Sequence, residues 1–375
     1  EAATGTLLYS IGNNSDDDDS DPSNAINSRN IDQHKLSLPM QSAIPATPTV
    51  IDVDGDGDVD LIFAIDIEGH VWRIDVDESK ALASNDLMGG GMIADLSTAG
   101  DQRRFYNSID ASRSSANSGS DHINLVVGSG FRAGPSTDEA ASSGWNNRIY
   151  FLFDDYPTKR NLDGVPEVDR YKYASTTASG TAAAKVVEDS DLSLSTTGTP
   201  MSKTLAPHGF YISLSDGEKV LQKSITFNNV VLVSTFNINS GAITTACGGS
   251  LGAGRVYALD ITNGTSVLTD GDEDNNQQNY IDDGGTVDEY GNAVDADGNA
   301  LVDADGQAIR FNSSGQRIVD YYELKHQGIP AESTLLLLPE LAICIGTECN
   351  IDTLEDALLN GFETGQAYRS FWLEK

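Results

Sequence analysis

The sequence predicts an all-β protein, a modified β-propeller with long inserted loops laid out as a single domain over residues 1–375. Three observations support that class. First, an apolar strand, a connection bearing Gly or Asn and a second strand ending in Asp recur along the chain. The copies are Leu61–Ile65 with Gly69–Asp75, Asn124–Val127 with Arg148–Asp154, and Val230–Val233 with Arg255–Asp260. Second, the later strand of each copy carries an aromatic residue, Trp72, Tyr150 or Tyr257, which reads as core. Third, no segment sustains the periodicity of a long amphipathic helix. Such strand pairs build blades that bury one face on the next, and closure hides the sheet edges. The copies are unequally spaced, so insertions lie between them. A weaker copy, Gly209–Leu214, precedes the turn Ser215-Asp216-Gly217.

Taken in order, the chain opens with a short strand at Leu7–Ile11 and a contiguous acidic run, Asn13–Asn24, which reads as a solvated loop. Residues 48–75, PTVIDVDGDGDVDLIFAIDIEGHVWRID, come next. Here Asp52, Asp54, Asp56 and Asp60 occupy positions 1, 3, 5 and 9 of a calcium-loop pattern, Gly57 holds the sharp-turn position 6, and Asp58 supplies its backbone carbonyl at position 7. Position 12, a bidentate Glu in an EF-hand, is Phe63. The β-branched flanks Thr49–Ile51 and Leu61–Ile65 make this strand, loop, strand, with Asp60 closing the coordination shell. Carboxylates so close repel one another unless a hard, oxygen-seeking cation sits among them.

Two inserted loops are expected, at about 157–205 and about 265–320. The first is rich in Ser, Thr and Ala. The second holds a weaker calcium candidate, Asp270, Asp272 and Asp274 in DGDEDNNQQNYIDD, and then Asp-x-x-Gly turns alternating with apolar pairs, which read as small protruding hairpins. Of the three cysteines, Cys344 and Cys349 flank a Gly-Thr turn in CIGTEC and form the preferred pair in an oxidising compartment. Cys247 leaves the other two pairings open.

Composition excludes several classes of partner. With 57 acidic and 23 basic residues the formal net charge is −34, so neither nucleic acid nor an anionic membrane finds a basic patch. No stretch has the ~20 apolar residues of a membrane span. The chain starts at Glu1 rather than Met, as a processed segment with its signal peptide upstream would. His34, His70, His122, His208 and His326 are isolated and assemble no Ser-His-Asp or Cys-His order, so no enzyme activity is expected.

The run IPATPTVIDVDGDGDVDLIFAIDIEGHVWRID, then RRFYNSID and VVGSGFRAGP leading into RIYFLFD, resembles the C-terminal propeller of the PilY family of type IV pilus tip-associated biogenesis factors and adhesins. GFYISLSDGEKV, CGGSLGAGRVYALDITNG, the stretch from QGIPAES to CIGTEC, and YRSFWLEK fit the same family in order. The resemblance implies a quinoprotein-like propeller whose calcium, held by Asp52, Asp54, Asp56, Asp58 and Asp60, biases pilus extension against retraction. It also implies pilin or minor pilin partners at a pilus tip, a host or abiotic surface as ligand, and an extracellular location at the pilus tip or surface of a bacterium.

Two other readings compete. An integrin-like calcium-loop propeller adhesin expects the loop to recur in each blade, and one copy is convincing here. A quinoprotein dehydrogenase expects adjacent cysteines and cofactor-stacking tryptophans, whereas Trp72, Trp145 and Trp372 are scattered.

Overall fold

The computed structural model describes residues 10–12, 35–38, 40–77, 88–97, 103–114, 122–138, 141, 144–155, 173–176, 182–198, 200–201, 203–240, 252–270, 277–282, 284–288, 291–303, 308–312, 314–336, 342–346 and 348–349. The acidic run Asn13–Asn24 and Cys247 lie outside them, as do Asp272, Asp274 and Trp372. Within them helix is confined to short pieces such as Gln277–Asp282, and no helix is long and apolar enough to cross a membrane.

The chain is all-β and of propeller type. Three sheets follow one another, each built from four segments that neighbour in chain order. The first runs Thr49–Ile51, Leu61–Ile65, His70–Val76, Met88–Asp95; the second Asp110–Ser114, His122–Gly128, Arg148–Asp154, Gly209–Ser213; the third Glu218–Val220, Val230–Asn237, Ala253–Asp260, Tyr322–Gln327. A consecutive, laterally ordered four-stranded sheet is the construction of a propeller blade. The three sequence copies are the second and third strands of these sheets. The weaker copy, Gly209–Ser213, is no separate blade: it pairs with Arg148–Leu152 as the fourth strand of the second sheet, because its partner strand already precedes it in the chain.

Two compact units divide the chain. One comprises Glu1–Ile109, Ser115–Ile123 and Asp155–Asp191, the other Asp110–Ser114, Asn124–Asp154 and Leu192–Lys375. The stretch read as one long loop also supplies sheet edges. Val187–Glu188 adds parallel to Met88–Asp95, and Ser193–Ser195 adds parallel to Gly209–Ser213. Its low apolar content hid these strands, since an edge strand is held by backbone bonds and buries little.

In the second unit the faces of the second and third sheets share one core. Val126, Ile149, Phe151, Phe153, Phe210 and Ile212 meet Val220, Val231, Val233, Tyr257 and Leu259, with Phe151 and Phe210 stacked at 4.6 Å. Burying each such large side chain contributes roughly 1.5–3 kcal/mol. Tyr257, one of the recurring aromatics, is also polar in its work. Its hydroxyl donates to Glu218 Oε1 at 2.9 Å, beside the buried pair Arg255 Nη1 to Glu218 Oε2 at 2.9 Å, and burial pushes its phenol well above the usual range. Trp72 and Tyr150 are buried as expected.

One turn recurs that the sequence reading saw only in part. In Asp66–His70, Asp288–Asn292, Asp295–Asn299 and Asn312–Gln316 the first side chain accepts the fifth residue's N–H, and the two side chains also bond to each other. The fourth residue is always Gly, with φ of 80 to 100°. In the insert the main chain also closes a ring. Ala293 N donates to Ile309 O, Ile309 N to Leu301 O and Leu301 N to Ala293 O, a ring of three main-chain bonds at eight-residue spacing. Arg310 anchors the insert through Thr197 O at 2.5 Å and through Asp320. A further sheet, Ser333–Leu336, Ala342–Ile345 and Glu348–Cys349, carries the disulfide Cys344–Cys349 between directly paired residues.

The VVGSG stretch owes its glycines to packing. A Cβ on Gly128 would lie 2.2 Å from Val220 Cγ2, and one on Gly130 2.7 Å from the Val220 carbonyl oxygen. Gly128→Ala is therefore expected to cost about 1–3 kcal/mol of stability by overpacking, and Val220→Ala in the same chain is expected to return part of that loss. Urea unfolding of the three variants checks this; a neutral Gly128→Ala would contradict the packing.

Candidate metal centre

The acidic loop hangs between two strands whose register fixes its mouth. Thr49–Ile51 pairs antiparallel with Leu61–Phe63, Ile51 opposite Leu61. The ladder runs one residue further into the loop, because Asp60 N donates to Ile51 O at 3.0 Å, and Val76 N donates to Asp60 O at 2.8 Å. Asp60 is thereby held by its main chain to both neighbouring strands and is buried, at 4% exposure. Its Oδ2 accepts Val53 N at 2.7 Å.

Between these ends the backbone coils around the carboxylates. Asp52 accepts Gly55 N at 2.6 Å and Gly57 N at 2.8 Å, one on each oxygen. Asp54 Oδ1 accepts Asp56 N at 3.2 Å, and Asp56 Oδ1 accepts Asp58 N at 2.9 Å. Gly55 and Gly57 have φ of 81° and 101°, and nothing lies within 4 Å of where their Cβ atoms would be. Conformation rather than space demands glycine at both positions.

This coiling brings together one carboxylate oxygen each from Asp52, Asp54 and Asp60, all within 4.8 Å of one another. Calcium bonds oxygen at about 2.3–2.6 Å, so ligands on opposite sides of one ion stand up to ~5 Å apart. The three oxygens thus fit a shared hard cation, and the donor set is all oxygen. The carboxylates of Asp56 and Asp58 fall outside this group and are exposed with the rest of the loop's tip. Of the weaker candidate, Asp270 is described, its N donating to Arg317 O at 3.2 Å, while Asp272 and Asp274 lie outside the described residues.

At the far end of Leu61–Ile65 from the loop, the turn Asp66–His70 joins that strand to His70–Val76. Asp66, fully buried, accepts three backbone N–H groups on Oδ1 and bonds His70 Nδ1 at 2.7 Å through Oδ2. Phe105 of the RRFYNSID stretch packs on this turn, 2.7 Å from where a Gly69 Cβ would stand. The sequence pattern alone does not separate this carboxylate from those of the loop; its satisfied hydrogen bonds do.

No protein-family model matches the sequence, and no curated protein matches it. Among solved structures the chain is similar to the C-terminal domain of Pseudomonas aeruginosa PilY1, at 16% identity over 80% of this chain and 59% of that one, with a TM-score of 0.47. It is similar to a europium-containing methanol dehydrogenase at 11% identity over 80% of this chain and 47% of that one, with a TM-score of 0.26. The chain thus spans less than two thirds of either, and likenesses with such TM-scores carry no argument about activity.

If repulsion among the loop's carboxylates is relieved by a cation, removing one charge should act with opposite signs in its absence and presence. Asp54→Asn is expected to raise stability by about 0.5–1 kcal/mol in chelator, from like charges ~5 Å apart in a water-like dielectric, and to shrink the stabilisation that calcium provides. Urea melts with chelator and with millimolar calcium test this; the same sign in both conditions would count against a cation among these groups.

Proposed function

We propose that this chain is a calcium-binding propeller of a PilY-like, pilus tip-associated protein that acts in type IV pilus biogenesis and surface adhesion. The observation that carries the reading is the convergence of Asp52, Asp54 and Asp60 in a loop whose ends are fixed by the strands of the first sheet. The sequence resemblance supplies the pilus context. A pilin or minor pilin is the proposed partner, with a host or abiotic surface as further ligand, and the protein acts outside the bacterial cell. It works by binding rather than catalysis.

In this reading Asp52, Asp54 and Asp60 give carboxylate oxygens to calcium, Asp58 its carbonyl, and Asp56 a ligand directly or through water. The ion lets the loop hold its coil against charge repulsion. A partner that recognises the ordered loop must then raise calcium affinity by the factor by which calcium raises its own, because linkage is reciprocal. The strands Thr49–Ile51 and Leu61–Ile65 stay paired in either state, since their ladder and apolar contacts owe nothing to the ion.

Calorimetry of the purified protein is expected to show one tight calcium site, lost in Asp52→Ala and in Asp60→Ala. At 100 times its dissociation constant calcium should stabilise the wild type by about 2.7 kcal/mol. Unchanged binding in both variants would overturn the assignment. Several tight ions would favour the integrin-like reading, in which the loop recurs.

A further inference from the structure

We propose that Asp110 and the hairpin carrying Thr226 form a proton-operated clasp between the first strand of the second sheet and the short strand Ile225–Phe227, which pairs with Val230–Leu232 of the third. Asp110 opens the strand Asp110–Ser114 at 2% exposure, and the short strand Ile225–Phe227 lies against it. Thr226 Oγ1 donates to Asp110 Oδ2 at 2.6 Å. That hairpin is slight: three residues pair with Val230–Leu232 across Asn228 and Asn229, both at positive φ. Both sides of the clasp belong to the same compact unit.

A carboxylate stripped of water needs several donors to stay charged, and one hydroxyl falls short of that. Burial accordingly raises the Asp110 pKa from 3.8 to about 6, with the Thr226 hydrogen bond and the Lys223 charge pulling the other way. The remaining titratable groups on adjoining elements are His122 on the neighbouring strand, Arg113 on its own strand, and Arg103 and Arg104 in the preceding segment. The strand Ile225–Phe227 brings none. With its proton the carboxyl sits at ease against Thr226; without it the pair holds a poorly solvated charge.

The sign follows from proton counting. Between about pH 4 and 6 the folded state holds a proton that the unfolded chain releases, so Asp110 makes the protein less stable as pH rises through that window, and levels off above it. The folded-to-unfolded ratio should fall by up to about 100-fold from this group. Other carboxylates titrate too, so the informative quantity is the difference from Asp110→Asn.

The test is urea unfolding of wild type and Asp110→Asn from pH 4.5 to 7.5, in chelator and again in calcium. The variant's advantage over wild type should grow with pH and flatten above about 6, equally in both buffers. A constant offset across pH would overturn the clasp. Carbon-13 titration of the folded wild type provides a second readout, with one aspartate carboxyl moving near pH 6. Thr226→Val, which removes the donor favouring the charge, should move that midpoint upward. No carboxyl titrating above pH 5, or an unmoved midpoint in Thr226→Val, would equally refute it.

Discussion

The shared core of the second unit rests on two largely apolar sheet faces being pressed together. Phe151 and Phe210 stack within the second sheet, and the contact of Gly128 with Val220 sets how closely the second and third sheets approach. At that separation a methyl group more is too much, because protein interiors are packed near crystal density. Polar groups trapped there must be satisfied in place. Glu218 takes hydrogen bonds from Thr235, Tyr257 and Arg255, so its carboxyl is satisfied at 0% exposure. Asp110, with one donor, marks the limit of what such a setting tolerates.

The metal centre uses the same frame for an opposite purpose. Paired strands cost nothing further to hold the mouth of the loop, and the main-chain bonds of Asp60 to Ile51 and Val76 tie its last ligand to them. The carboxylates between are then free to respond to a cation without disturbing the sheet. Their hydrogen bonds run to the loop's own backbone, so order in the loop and convergence of its oxygens are one event.

The insert shows how much a short local rule can build. A five-residue turn with a carboxylate or amide first, Gly fourth and Asn or Gln fifth is satisfied by its own side chains, and two such turns lead into Ala293 and Leu301, whose main chains close a ring with Ile309. The same turn with His70 fifth serves as the plain connection of the first sheet.

By itself the sequence determined the all-β class, the strands on either side of Asp52–Asp60 and the burial of Trp72, Tyr150 and Tyr257, and it favoured Cys344–Cys349 among three pairings that the structure then decided. All of these follow from local signals: alternation, turn residues, a short spacing. Tertiary structure decided which strands share a sheet. It made Gly209–Ser213 a fourth strand rather than a blade, and turned Val187–Glu188 and Ser193–Ser195 into edges, because backbone pairing leaves no trace in side-chain pattern. It also sorted the acidic residues. Carboxylate oxygens of Asp52, Asp54 and Asp60 converge, Asp56 Oδ1 accepts Asp58 N, and Asp66 spends itself on its turn. Spacing brings carboxylates near one another; the coil of the chain, with Gly55 and Gly57 at positive φ, selects which oxygens meet.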